Sequence, residues 1–223
     1  MAIRFVLVDI EGTTSSIDFV KKTLFPYSRE RLPDYVRAHA DERLVRSQLA
    51  LVDDDVEKAI DKLLEWLDED RKATPLKTLQ GMVWRVGYED GSLRAHMYAD
   101  TPIALRTWRD AGLALGVYSS GSVAAQKLMF KYSEVGDLTD LFKHHFDTTV
   151  GKKIEPESYG RILAEVGYGP REVTFLSDSE AELDAASSLG ISTIQIVRPE
   201  DGTPRTLRHR TANSMGVVNV ADL

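Results

Sequence analysis

Apolar residues along the chain follow two rhythms. Near the start, Ile3-Arg4-Phe5-Val6-Leu7-Val8 is an almost unbroken apolar run, and similar runs recur at Leu113–Tyr118, Val173–Leu176 and Ile191–Val197, with a weaker one at His145–Val150. Short β-branched runs of this kind predict strands covered on both faces. Between the later runs the period becomes helical, with matching start and stop signals. Pro102 opens a helix that stops near Gly112, Ser122 caps the next over Val123–Lys131, Pro156 opens another, and Gly190 closes the last. Strands alternating with helices predict an α/β fold built on a doubly wound parallel sheet.

Residues 15–99 lack a convincing strand. Val56, Ile60, Leu63, Leu64 and Leu67 fall on one face of a helix, and Leu76, Leu79, Val83 and Val86 repeat the pattern. The expected organisation is a catalytic core of residues 1–14 and 100–223, interrupted after its first strand by an all-helical cap domain, residues 15–99. Ligands of such sheets bind beyond the carboxyl ends of the strands, the edge at which this insertion enters.

Composition narrows the classes. The 223 residues carry 28 basic and 35 acidic side chains, a net charge of −7, and no cysteine. Thiol catalysis, cysteine-ligated zinc and a disulfide framework are excluded, and a cytoplasmic location is expected. The negative balance argues against nucleic acid as a partner. Charges interrupt every apolar run well short of the roughly 18 residues of a membrane helix, so no membrane partner is expected.

Chemistry gathers at strand ends. The first strand runs into Asp9-Ile10-Glu11-Gly12-Thr13-Thr14, whose two carboxylates share one side of an extended chain. The second ends in Tyr118-Ser119-Ser120-Gly121-Ser122 at a helix N-terminus, a natural anion site. After the third stands Gly151-Lys152-Lys153, which is not a Walker loop because Phe146 occupies the position of that pattern's first glycine. The fourth ends in Phe175-Leu176-Ser177-Asp178. Oxygen ligands from Asp9, Glu11 and Asp178 suit Mg²⁺, and the four ends together read as a metal-assisted phosphate site. Asp53-Asp54-Asp55 is better read as helix N-terminal acids than as a metal cluster, and Trp66, Trp84 and Trp108 as core. His144 and His145 would face opposite ways on a strand, and no histidine spacing suits zinc.

In order and spacing, Asp9-Ile10-Glu11-Gly12-Thr13, Ser119-Ser120-Gly121-Ser122, Lys153 and Phe175-Leu176-Ser177-Asp178 resemble the four motifs of the haloacid dehalogenase superfamily. Leu79-Gln80-Gly81 with Trp84, Gly87 and Tyr88, then Ala125-Gln126-Lys127 and Phe146-Asp147-Thr148-Thr149, narrow the resemblance to the enolase-phosphatases of methionine salvage. Lys131-Tyr132 and Ser179 depart from that pattern. The resemblance implies a Rossmann-like core with a helical cap and one Mg²⁺ per subunit, held by Asp9, Glu11 (through its main-chain carbonyl) and Asp178. It implies Asp9 and Glu11 as catalytic residues and Ser119, Ser120 and Lys153 as substrate-binding ones. The implied reaction converts 2,3-diketo-5-methylthiopentyl 1-phosphate, through its enol, to an acireductone and phosphate, in a monomer acting on a small phosphoester. Whether Asp9 attacks phosphorus, and whether Asp9 or Glu11 is the base of enolisation, stays open at this point. The rivals are a Mg²⁺-dependent phosphatase or phosphomutase of a sugar phosphate, a metal-free dehalogenase, and a phosphate-binding module without turnover.

Overall fold

The computed structural model describes residues 2–219. In chain order, β1 (Phe5–Val8) is followed by α1 (Ile17–Phe19), a π-helical turn (Val20–Leu24), α2 (Phe25–His39), α3 (Arg43–Leu49), α4 (Val56–Asp68) and α5 (Thr74–Asp90). Then come α6 (Thr101–Asp110), β2 (Ala114–Tyr118), α7 (Val123–Lys131), β3 (His144–Phe146), α8 (Pro156–Val166), β4 (Val173–Ser177), α9 (Glu180–Ser187), β5 (Ser192–Ile196) and β6 (Arg210–Ala212).

The chain forms two compact units. One holds the sheet; the other, Asp18–Arg94, is helical. The helical segment is therefore shorter than the 15–99 read from the pattern, whose outer partner limits, residues 1 and 223, lie outside the described residues. The difference has a physical cause at each crossing. Ser16 Oγ and Ile17 N–H donate to Asp201 at 2.6 and 2.9 Å, and Tyr98 N–H donates to the Thr14 carbonyl at 3.2 Å, so these residues belong to the sheet unit.

Among the described residues six strands make one sheet in the order β3-β2-β1-β4-β5-β6, every pair parallel. All four residues of β1 are fully buried, as a central strand flanked on both faces requires. Phe5, Leu7, Tyr118, Phe146, Tyr159, Ile162, Phe175 and Leu183 pack into one core cluster of this unit. Connections run from β1 to β2 on one side and reach β4 on the other, so the topological switch lies between β1 and β4.

The third strand ends earlier than its sequence suggests. Asp147 Oδ1 accepts the N–H of Thr149 at 2.9 Å and Oδ2 that of Val123 at 3.1 Å, which turns the chain after Phe146 and leaves 147–150 outside the sheet. Strand β6, polar and three residues long, was not visible in the pattern.

In the helical unit, Leu32, Val36, Val45, Leu49, Ile60, Leu63, Leu76, Leu79 and Val83 make a separate core. Val86 is exposed instead of buried. Asp55 caps α4 by accepting the N–H of Lys58 at 3.0 Å, and Asp53 pairs with Lys62 at 2.6 Å, so the triple acid does serve a helix start. Of the tryptophans only Trp108 is fully buried; Trp84 is half-buried with its indole N–H on the Leu24 carbonyl at 2.9 Å, and Trp66 lies under Arg71. Among the described residues no helix is long and apolar enough to cross a membrane.

Candidate active site

At the end of β1 the ladder continues one residue further, with Asp9 N–H donating to the Leu176 carbonyl at 2.9 Å. The chain then folds on itself. The N–H groups of Thr13, Thr14 and Ser15 all donate to the Ile10 carbonyl, at 3.1, 3.0 and 3.0 Å, and Gly12 N–H donates to Ser15. Gly12 adopts φ +76°, and a Cβ there would stand 2.5 Å from Asp178 Oδ2. Glycine is what lets the turn after β1 approach the end of β4.

Asp9 is 3% exposed. Its Oδ1 is in contact with the Lys153 ammonium, which also lies 2.7 Å from Glu182 Oε2. The Tyr118 and Tyr159 hydroxyls donate to the carbonyls of Gly151 and Lys153 at 3.0 and 2.7 Å, and so fix the segment that delivers the lysine. Ser119 Oγ donates to the Glu11 carboxylate at 3.0 Å and accepts from Gly121 N–H at 3.0 Å. Gln195 donates to the Asp178 carbonyl at 2.9 Å and steadies the end of β4.

Five of the residues singled out from sequence are thus brought together: Asp9, Glu11, Ser119 and Asp178 from the turns after β1, β2 and β4, and Lys153 from the loop between β3 and α8. Ser120 is exposed beside Ser119. Sequence reasoning missed Glu182, which completes the acid group around Lys153; its only signal was an acid one helical turn beyond Asp178, a place where any helix accepts one. The open anion site expected at the start of α7 is not found at two of its groups. Val123 N–H is bonded to Asp147, and Ala125 N–H to Ser122 Oγ at 3.3 Å. What orders this turn is Gln126, 1% exposed, whose side-chain N–H groups donate to the carbonyls of Gly121 and Phe146 at 3.0 and 2.7 Å.

The electrostatics are those of an acid cluster with one resident cation. Burial raises the Asp9 carboxyl well above the usual carboxylate range; Lys153 opposes this, while Glu182, Glu11 and Asp178 add to it. Asp178 is pushed up to about 6 by burial and Glu182. For Lys153 burial acts downward, but Asp9, Glu182 and Glu11 outweigh it and hold the ammonium above its ordinary range. Four carboxylates face one lysine, a donor set short of positive charge. Among the described residues no three acidic or histidine side chains already converge on a common point. Two carboxylates and a main-chain oxygen suit a hard ion that keeps several of its waters.

Residues 3–190 match the haloacid dehalogenase-like hydrolases, and the chain belongs to that family. A protein of Alcanivorax borkumensis named Enolase-phosphatase E1 is 48% identical over 227 residues, covering 99% of this chain and 100% of the relative. One of the same name from Pseudomonas aeruginosa is 51% identical over 223 residues, covering 96% and 90%. Among solved structures, the UTR4 protein of Saccharomyces cerevisiae superposes with a TM-score of 0.86 at 36% identity, over 97% of this chain and all of that one. CbbY from Rhodobacter sphaeroides, at 17% identity and a TM-score of 0.62, shares the fold. Within the hydrolase family, the chain is one of the enolase-phosphatases.

Proposed function

We propose that this protein converts 2,3-diketo-5-methylthiopentyl 1-phosphate, through its enol, to the acireductone and phosphate in methionine salvage, as a cytoplasmic monomer whose helical unit is the family's inserted cap module. The observation that carries the reading is the gathering of Asp9, Glu11, Ser119, Lys153 and Asp178 from three strand ends and the loop after β3, in a chain similar over its length to proteins named Enolase-phosphatase E1.

Phosphate monoester hydrolysis is among the slowest uncatalysed reactions, with accelerations reaching ~10²¹, so several groups must act together. Lys153 sets its charge against the phosphoryl oxygens, and Ser119 and Ser120 orient the ester. Asp9 and Asp178 through their carboxylates, and Glu11 through its main-chain carbonyl, would hold Mg²⁺. Bound there, the ion supplies positive charge to the phosphoryl group and to the developing enolate. Asp9 works on phosphorus from its place against Lys153, while Glu11, oriented by Ser119, is placed to carry protons to and from the substrate. The base of enolisation comes from this pair of acids.

The test is an anaerobic assay of purified protein with Mg²⁺ and the diketo phosphate, following enol absorbance and released phosphate together. Enol forming before or with phosphate, both stopped by chelator, is expected. Phosphate without enol, or release only from sugar phosphates, would move the chain to a plain phosphatase.

A further inference from the structure

Arg198, two residues beyond the end of β5, is a charged side chain that the proposed chemistry does not use, yet it is only 3% exposed. Each of its three guanidinium nitrogens donates a hydrogen bond. Nε and Nη2 both donate to the main-chain carbonyl of Thr13, at 3.2 and 2.7 Å. Nη1 donates to the two carboxylate oxygens of Asp100 at 2.9 and 3.1 Å, and the guanidinium carbon stands 3.8 Å from the centroid of the Tyr98 ring. Asp100 also accepts the N–H of Met215. The arginine is thus seated between an acid, an aromatic face and one peptide carbonyl.

That carbonyl belongs to the turn that follows Asp9 and contains Glu11. The next carbonyl, of Thr14, is held from the same quarter by Tyr98 N–H at 3.2 Å and Thr101 Oγ1 at 3.0 Å. Thr14 Oγ1 in turn donates to the Asp9 carbonyl at 3.1 Å, which joins the anchored part of the turn to the acid itself. A buried ion pair is weak evidence of stabilisation, since apolar residues of the same volume often serve as well. What an apolar pair lacks is a planar fork that fixes a peptide unit in direction as well as in distance.

We propose that Arg198 is a positioning residue of the reaction: it locks the Thr13 peptide, and through Thr14 sets where Asp9 and Glu11 stand against the substrate. The inference rests on the reading of those two acids given above. Displacement of a reacting group by about 1 Å costs on the order of 100-fold in rate, so the effect falls on kcat.

The experiment compares Arg198→Lys with wild type in steady-state phosphate release from the diketo phosphate, well below each protein's melting temperature. Lysine keeps the charge beside Asp100 but cannot place two donors on Thr13. The expected result is a kcat lower by roughly 10- to 100-fold with KM within about threefold. In the same variant, the amides of Gly12 to Ser15 should exchange hydrogen at least about tenfold faster, with those of β1 unchanged. Wild-type kcat, or slower turnover explained by the unfolded fraction alone, overturns the proposal. Should Arg198→Lys fail to fold, Asp100→Asn provides the second test, because it loosens the seat of the fork on Thr13 without removing the arginine: kcat is expected to fall by roughly 3- to 10-fold with faster hydrogen exchange at Gly12 to Ser15, and wild-type kcat together with wild-type exchange refutes the role. Asp9→Asn, run alongside, separates the two readings. If it still turns over at the wild-type rate, the site assignment fails; if it is dead while Arg198→Lys has wild-type kcat, only the positioning role fails.

Discussion

Lys153 and Gly12 illustrate how single residues carry the site. The Lys153 side chain is 9% exposed between Asp9 and Glu182, themselves at 4% and 15%. Replacing it by methionine preserves length and removes the one cation that the described residues place among these four acids. Breaking a buried pair from one side costs about 3–5 kcal/mol, so Lys153→Met is expected to lower the melting temperature clearly as well as to abolish phosphate release. Calorimetry on the purified variant checks the first, and a melting temperature equal to wild type would show that the lysine is not paired as described. Gly12→Ala meets two obstacles together. Its φ of +76° disfavours a side chain by roughly 1–2 kcal/mol, and the new Cβ would press on Asp178 at 2.5 Å. The variant should fold, with kcat down on the order of 100-fold because Asp178 is moved. Retention of full activity in steady-state assays would mean that the turn and the end of β4 are not in the close contact that glycine permits.

At the level of elements, the starts of α4 and α7 show how much local chemistry the chain contains. Asp55 caps α4, whereas Asp54 makes no such bond. Asp55→Ala should therefore lose about 1 kcal/mol in urea unfolding, with Asp54→Ala within a few tenths; equal losses would assign the effect to general charge near the helix dipole. These helices were readable because each signal is local: an apolar face, a cap, a proline in the first turn. The four central strands and the acids and serines at their ends were readable for a related reason, since a strand buried on both faces leaves little choice of residue. Three features were not. The end of β3 is set by Asp147 reaching Val123, a partner 24 residues away. Strand β6 is polar and depends on the edge of β5 for its pairing. Glu182 resembles any acid in a helix's first turn until the fold brings Lys153 to it. Each depends on a tertiary partner that no window of sequence contains, and Arg198, which lies just beyond the apolar run Ile191–Val197 and carries no signal of its own, belongs with them.

On the scale of the whole molecule, the balance of buried charge predicts how stability responds to acid. Burial would raise the Asp100 carboxyl, but the hydrogen bond and charge of Arg198, with Met215 N–H, more than offset it and leave it below the usual range. Its folded pKa is thus depressed, so its contribution is complete above the unfolded value of about 3.9 and disappears as pH falls through the lower folded value. His145 acts earlier. Burial, helped by Lys127 and His144, pushes its pKa down to about 4, and its Nδ1 lies 3.2 Å from Gln126 Oε1. An unfolded histidine takes up a proton near pH 6.5, so the unfolded state binds more protons between about pH 6.5 and 4, and stability must fall across that window as the solution is acidified. Because the ring is only partly buried, the loss is discounted for solvent screening to about 1–2 kcal/mol. The raised carboxyls of the site act in the opposite sense, and His144, lowered by burial like its neighbour, acts in the same one. Comparing wild type with His145→Gln cancels both. Urea unfolding at pH 7 and at pH 4.5 should show the wild type losing about 1–2 kcal/mol more than the variant between the two conditions. Parallel losses in the two proteins would mean that His145 is solvated enough to titrate in the folded state as it does in the unfolded one.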